Sequence, residues 1–143
     1  MTVMHFTSST EARIHFASLL DAARDGRPAT VQRESTRAAV VDADLLRKAL
    51  ASLPLWKAQV IAEAGGYSIF LPGIPVAGDG STFDEAVDDM IDALREYADA
   101  WTERLSKAAN HFANWGLVQL IELSDDSELR TWLTGMPADN PTP

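Results

Sequence analysis

The chain has 143 residues, 46% of them apolar and 23% charged, which leaves room for one ordinary domain or two small ones and is too apolar for extended disorder. It contains no cysteine, so disulfides, thiolate chemistry and Cys-based zinc sites are excluded; the three histidines, His5, His15 and His111, stand in no metal-ligand spacing, and no cofactor is expected. The net charge of −9 is unevenly spread: residues 1–57 hold eight basic and six acidic side chains, and residues 58–143 hold four and fifteen. A basic front and an acidic back point to two partners of opposite charge and say nothing about fold. The opening MTVMHFTSST has no basic-then-apolar run, and no apolar stretch approaches the ~18–20 residues of a membrane helix, so a cytoplasmic protein is expected.

In chain order, residues 1–6 read as a short strand. Ser8 with Glu11 three residues on fits a capping box, and Ile14, Phe16, Leu19, Leu20 and Ala23 continue one helix to Asp25-Gly26. Pro28 stops it. Ala29 to Arg33 alternates as a strand, Glu34-Ser35-Thr36 turns, and Ala38 to Asp42 returns as its hairpin partner. Asp42 or Asp44 caps a helix to about Leu50. The result is a βαββα unit over residues 1–53 with few core residues, and a unit that small gains most by pairing with a second copy.

Residues 51–55, with Pro54, form the joint. Ala58 to Ala64 and Tyr67 to Leu71 read as a hairpin about Gly65-Gly66, followed by a loop from Ala77 to Ser81. Ser81 or Thr82 caps a long helix whose apolar stripe runs from Phe83 through Met90, Leu94 and Trp101 to Leu105, with acids on the remaining surface. A bend is expected at Gly116, strand character from Leu117 to Leu123, and a short helix capped by Ser124 and ending near Leu133. The second domain is thus placed at residues 57–134, with a flexible, proline-rich tail at 135–143, and the fold class is α+β.

Glu11-Ala12-Arg13, then Asp25-Gly26-Arg27-Pro28, Val31-Gln32-Arg33 and Ala39-Val40-Val41 form an ordered set. That set resembles the Phd/YefM antitoxin domain of bacterial toxin–antitoxin pairs. Gly65-Gly66-Tyr67 and Leu71-Pro72, followed by Gly80-Ser81-Thr82 and Glu85-Ala86, are similar to the HicB pattern, which implies a hairpin-and-helix, partial ribonuclease-H-like layer. A Phd-like front with a longer C-terminal part also resembles the larger antitoxins paired with RelE-type toxins. The resemblance implies a homodimer or tetramer that binds operator DNA, represses its own operon and neutralises a small basic ribonuclease.

On the residues alone, Arg13 and Arg33 read as solvated surface arginines rather than DNA contacts; the resemblance matches them to the family's DNA contacts. Ser8, Ser9 and Thr10 beside Arg13 suit phosphates, and Arg37 in the hairpin is a third phosphate candidate. Acids of the long helix, among them Asp92, Glu96 and Asp99, read either as a wet face or as a cover for a basic toxin. Of the four tryptophans, Trp132 is the chosen partner anchor. No nucleophile motif or phosphate-binding glycine loop is present, so an enzyme is not expected. Two other readings stay open: a free-standing regulator with a ligand pocket lined by Tyr67, Phe70 and Trp101, and a ribonuclease-H-type hydrolase using Glu63 and Glu122 from strands.

Overall fold

The computed structural model describes residues 4–136, which divide into two compact units between Ala49 and Leu50. The fold is α+β, with two three-stranded sheets and six α-helices among the described residues.

In the N-terminal unit, β1 (Met4–Phe6) pairs in parallel with β2 (Ala29–Arg33), which pairs antiparallel with β3 (Thr36–Val40). Parallel pairing needs a crossover, supplied by α1 (Ser9–Ile14) and α2 (Phe16–Arg24). These are two helices where the sequence suggests one. The break at His15 carries no proline or glycine; its imidazole stacks on Phe6 of β1, with ring centroids 5.8 Å apart. That contact to the sheet accompanies a local departure from helical geometry which the sequence does not signal. The Ser8 cap is present, with its hydroxyl accepting from the Glu11 N–H at 3.1 Å. The returning half of the box lands one residue early, since the Glu11 carboxylate accepts from the N–H and hydroxyl of Thr7.

The hairpin turns through Glu34-Ser35, with Glu34 at φ 54°, so β3 begins at Thr36 rather than Ala38. The core is small: Phe6, Ala12, Leu19 and Ala29, with Met4, Val31 and Val40 packed at its rim. A helix α3 (Ala43–Ala51) follows, begun by the Asp42 carboxylate accepting from the Leu45 N–H.

In the C-terminal unit, β4 (Gln59–Glu63), β5 (Gly66–Phe70) and β6 (Ala77–Gly80) form an antiparallel sheet in that order. β6 replaces the expected loop. Its composition, Ala-Gly-Asp-Gly, has no strand preference, but α4 (Phe83–Ala100) lies directly on it. A Cβ on Gly78 would stand 2.3 Å from the Met90 backbone nitrogen. Only glycine allows that approach. Thr82 caps α4 by accepting from the Glu85 N–H, and the helix buries Ala86, Val87, Met90, Ile91, Leu94, Tyr97 and Ala98. The apolar stripe continues into a π-helical turn, Trp101–Leu105, instead of more α-helix.

The run Leu117 to Leu123 is helical, not a strand. It belongs to α5 (Trp115–Leu123), which buries Leu117, Val118, Leu120 and Ile121 on one helical face. A short apolar run satisfies either period, and here α4 offers a surface for a helix to pack on. Gly116 lies inside α5 rather than at a bend, where Trp56 presses on it: a Cβ there would come 2.9 Å from the indole. Glu122 is therefore a helix residue, and the strand placement required by the hydrolase reading does not occur. The last helix, α6 (Asp126–Thr134), is capped by Asp125 in a reciprocal box with Glu128; Ser124 is buried and donates its hydroxyl to Leu120 O. Arg95 ties the three helices together, donating to Ile121 O, Ser124 O and the Asp126 carboxylate within 2.8 Å. The expected flexible tail lies almost wholly outside the described residues.

Candidate nucleic-acid and partner surfaces

The register fixes where the arginines of the N-terminal unit stand. In the sheet, Ala29, Val31 and Arg33 share one face, and Ala29 packs against Ala12 and Leu19 of the helices. Arg33 thus ends the helix-covered face at the hairpin tip. Arg37 pairs across from Gln32 and sits on the opposite face, with Thr30, which His5 reaches through a 2.6 Å contact to its hydroxyl. Arg13 is exposed in the last turn of α1. Among the described residues none of these three guanidinium groups has an ion-pair partner, whereas Arg24 is engaged by Asp21 and Asp25. Ser8, Ser9 and Thr10 are all exposed, although Ser8 already spends an acceptor on its own helix.

Beside them the unit leaves large apolar side chains in water: Ile14, Phe16 and Leu20 on α1 and α2, and Val41 and Leu45 at the start of α3. A groove of about 250 Å³ lies between Ala23, Pro28, Val41, Leu45 and Leu46, flanked by Arg27. The helical spacing of Phe16 and Leu20 with Leu19 and Ala23 does not bring them into the unit's core.

The acids of α4 fall into two sets. Asp84 and Asp88 face Arg130 of α6, Asp89 accepts from the Asp79 N–H at 2.9 Å, and Glu85 accepts from the hydroxyl and N–H of Ser81. The Ser81 hydroxyl, then its N–H, hold the Glu85 carboxyl below the ordinary carboxylate range. These four are structural. Asp92, Glu96 and Asp99, with Glu103 one turn on, are exposed and have no ion-pair partner among the described residues. Their spacing of four, three and four residues places them along one stripe.

Trp132 is half-buried against the core and lines a groove of about 360 Å³ with Ser52, Pro54, Lys57 and Gly135. More exposed aromatics of this unit are Phe112 and Trp115, at 68% and 53%; of these Phe112 draws no notice in the sequence, and Trp115 is set behind Trp132. They flank a polar knot in which Tyr97 contacts His111 and accepts from Asn114, and Trp101 donates to His111 O. Tyr67 lies edge-on to Phe83 and lines a shallow depression with Glu63, Ser68, Asp79 and Gly80. Among the described residues no three His, Asp or Glu side chains converge as metal ligands, and no helix is long and apolar enough to cross a membrane.

Comparison with known proteins places the chain in a family. Residues 3–130 match the model of a PHD-like family described as the antitoxin of toxin-antitoxin, RelE/RelB, TA system. The chain belongs to this antitoxin family. The match runs through both units of the antitoxin, so its second half is not an unrelated appendage. A crystal structure of an antitoxin part of a toxin/antitoxin system from Syntrophomonas wolfei subsp. wolfei superposes with a TM-score of 0.73 over 93% of this chain and 96% of that one. At 19% identity it shows that the two share a fold. No curated protein matches the antitoxin. Membership in the family implies a cognate toxin.

Proposed function

We propose that the antitoxin acts through its two units separately. The N-terminal unit, of Phd/YefM type, dimerises through the apolar surface of Phe16, Leu20, Val41 and Leu45 and binds operator DNA with Arg13 and Arg33. Arg37 from the far face of the hairpin, with Ser8, Ser9 and Thr10, adds phosphate contacts. The C-terminal unit, of HicB-like hairpin-and-helix type, meets a RelE-type ribonuclease with Asp92, Glu96 and Asp99, and Trp132 anchors the contact. The family match across both units carries this reading. The unpaired arginines on one unit and unpaired carboxylates on the other support this choice of partners. A toxin that binds RNA presents positive charge, which an acidic stripe complements and a DNA-binding face does not.

One unit supplies few cations, so DNA affinity must come from two copies placing their arginines on one duplex. A gel-shift titration on the DNA upstream of the gene tests the assignment. The Arg13→Ala, Arg33→Ala protein is expected to lose at least about tenfold in affinity and to show a shallower dependence on salt. Unchanged affinity at unchanged oligomeric state refutes it.

A further inference from the structure

The two edges of the C-terminal sheet are treated differently. At β6 the Asp79 N–H is taken by the Asp89 carboxylate, and the glycines of the strand lie under α4. At β4 no described residue covers the strand: Gln59, Val60, Ile61, Ala62 and Glu63 are all exposed, Val60 and Ile61 at 45% each. Uncharged in its middle and without proline or bulge, β4 carries only the terminal Glu63 among the features that ordinarily keep an edge strand from pairing.

We propose that β4 is a self-association surface that pairs antiparallel with β4 of a second copy about a two-fold axis at Val60. Three observations agree on that occupant and register. The first is backbone polarity. β4 and β5 are joined by the two-residue loop Ala64-Gly65, so Glu63 and Gly66 are the closing hydrogen-bonded pair. Alternation then turns the N–H and C=O of Gln59, Ile61 and Glu63 towards β5 and those of Val60 and Ala62 towards the open edge. A two-fold axis at Val60 needs those outward groups.

The second is charge. That axis sets Gln59 opposite the partner's Ile61 and, where the pairing continues two residues before the strand, Lys57 opposite the partner's Glu63. Both are non-hydrogen-bonded pairs, where side chains approach most closely, and the Lys–Glu pair occurs twice. Shifting the axis by one residue separates those charges. The third is the side-chain pattern: Val60 meets the partner's Val60 on the face shared with buried Ile69, continuing that apolar row across the junction. The result is a continuous six-stranded sheet. This surface does not depend on the DNA-binding reading or on dimerisation of the N-terminal unit.

The antitoxin has no cysteine of its own, which makes the test direct. Full-length Val60→Cys is expected to oxidise to a covalent dimer, because the paired Cα atoms would lie about 5.5 Å apart. Ser127→Cys, exposed on α6, serves as the control and stays uncrosslinked. In sedimentation equilibrium of the chain alone, Ile61→Lys is expected to remove one association step while leaving circular dichroism unchanged. Lys57→Glu or Glu63→Lys alone should weaken that step about fivefold, and the two together should restore it. Absence of the Val60→Cys dimer, with unchanged assembly mass in Ile61→Lys, overturns the proposal. So does an effect of Ile61→Lys confined to mixtures with the toxin, which would give the edge to a toxin strand. Loss of DNA binding in the arginine variant leaves this result unmoved, so the two readings fail separately.

Discussion

The N-terminal unit packs a cluster of four buried apolar side chains and leaves Ile14, Phe16, Leu20, Val41 and Leu45 in water, while the C-terminal unit packs a cluster of fourteen around α4. A unit of about 50 residues buries too little apolar surface to stand comfortably alone, and the first unit behaves accordingly. The second has a helix that touches the sheet through glycine and carries α5 and α6 on its other contacts, with Arg95 closing the junction. A small core thus coincides with the unit proposed to pair on DNA, and a large one with the unit proposed to meet a protein partner.

The contrast can be broken by mutation. The largest effect is expected at Leu94, fully buried on α4: Leu94→Ala should cost about 3–5 kcal/mol in urea unfolding of the C-terminal unit. Gly78→Ala should cost about 3 kcal/mol, because the new methyl meets backbone atoms of α4 that cannot step aside. For the N-terminal unit, stability should depend on concentration, falling by about 1.4 kcal/mol per tenfold dilution where dimer formation and folding are coupled. Phe16→Ser with Leu20→Ser should abolish that dependence without touching the C-terminal transition; unfolding curves at several concentrations measure both.

The smallest effect concerns Glu85. Its carboxyl is held below the ordinary range by Ser81, so its stabilisation is present above the unfolded-state value and is lost as pH falls through the lower folded-state value. Glu85→Gln should therefore differ from wild type at neutral pH and converge with it in acid, as read by unfolding at a series of pH values.

Much of this arrangement was legible in the sequence, because short-range chemistry specified it. The Ser8 and Thr82 caps, the two hairpins and the start of α3 at Asp42 rest on residues a few positions apart. What escaped depends on contacts distant in the chain. The break at His15 accompanies stacking on Phe6, strand β6 exists because α4 lies on Gly78, and Leu117 to Leu123 is helical where it packs among core residues. For the surfaces, charge asymmetry was visible at once. The sequence could not show which acids are spent internally: Asp84, Asp88 and Asp89 are, whereas Asp92, Glu96 and Asp99 are not. Nor could it separate Arg33 from Arg37, which only the strand register places on opposite faces.

Separation of function is the most direct test of two units with two partners. Arg13→Ala, Arg33→Ala and Asp92→Asn, Glu96→Gln, Asp99→Asn proteins would each be measured for operator affinity by gel shift and for rescue of growth from the cognate toxin. The arginine protein is expected to lose operator binding and keep full rescue, and the carboxylate protein to keep operator binding and lose rescue. If either protein loses both activities while remaining folded, or the two lose the same one, the division of labour between the units is wrong.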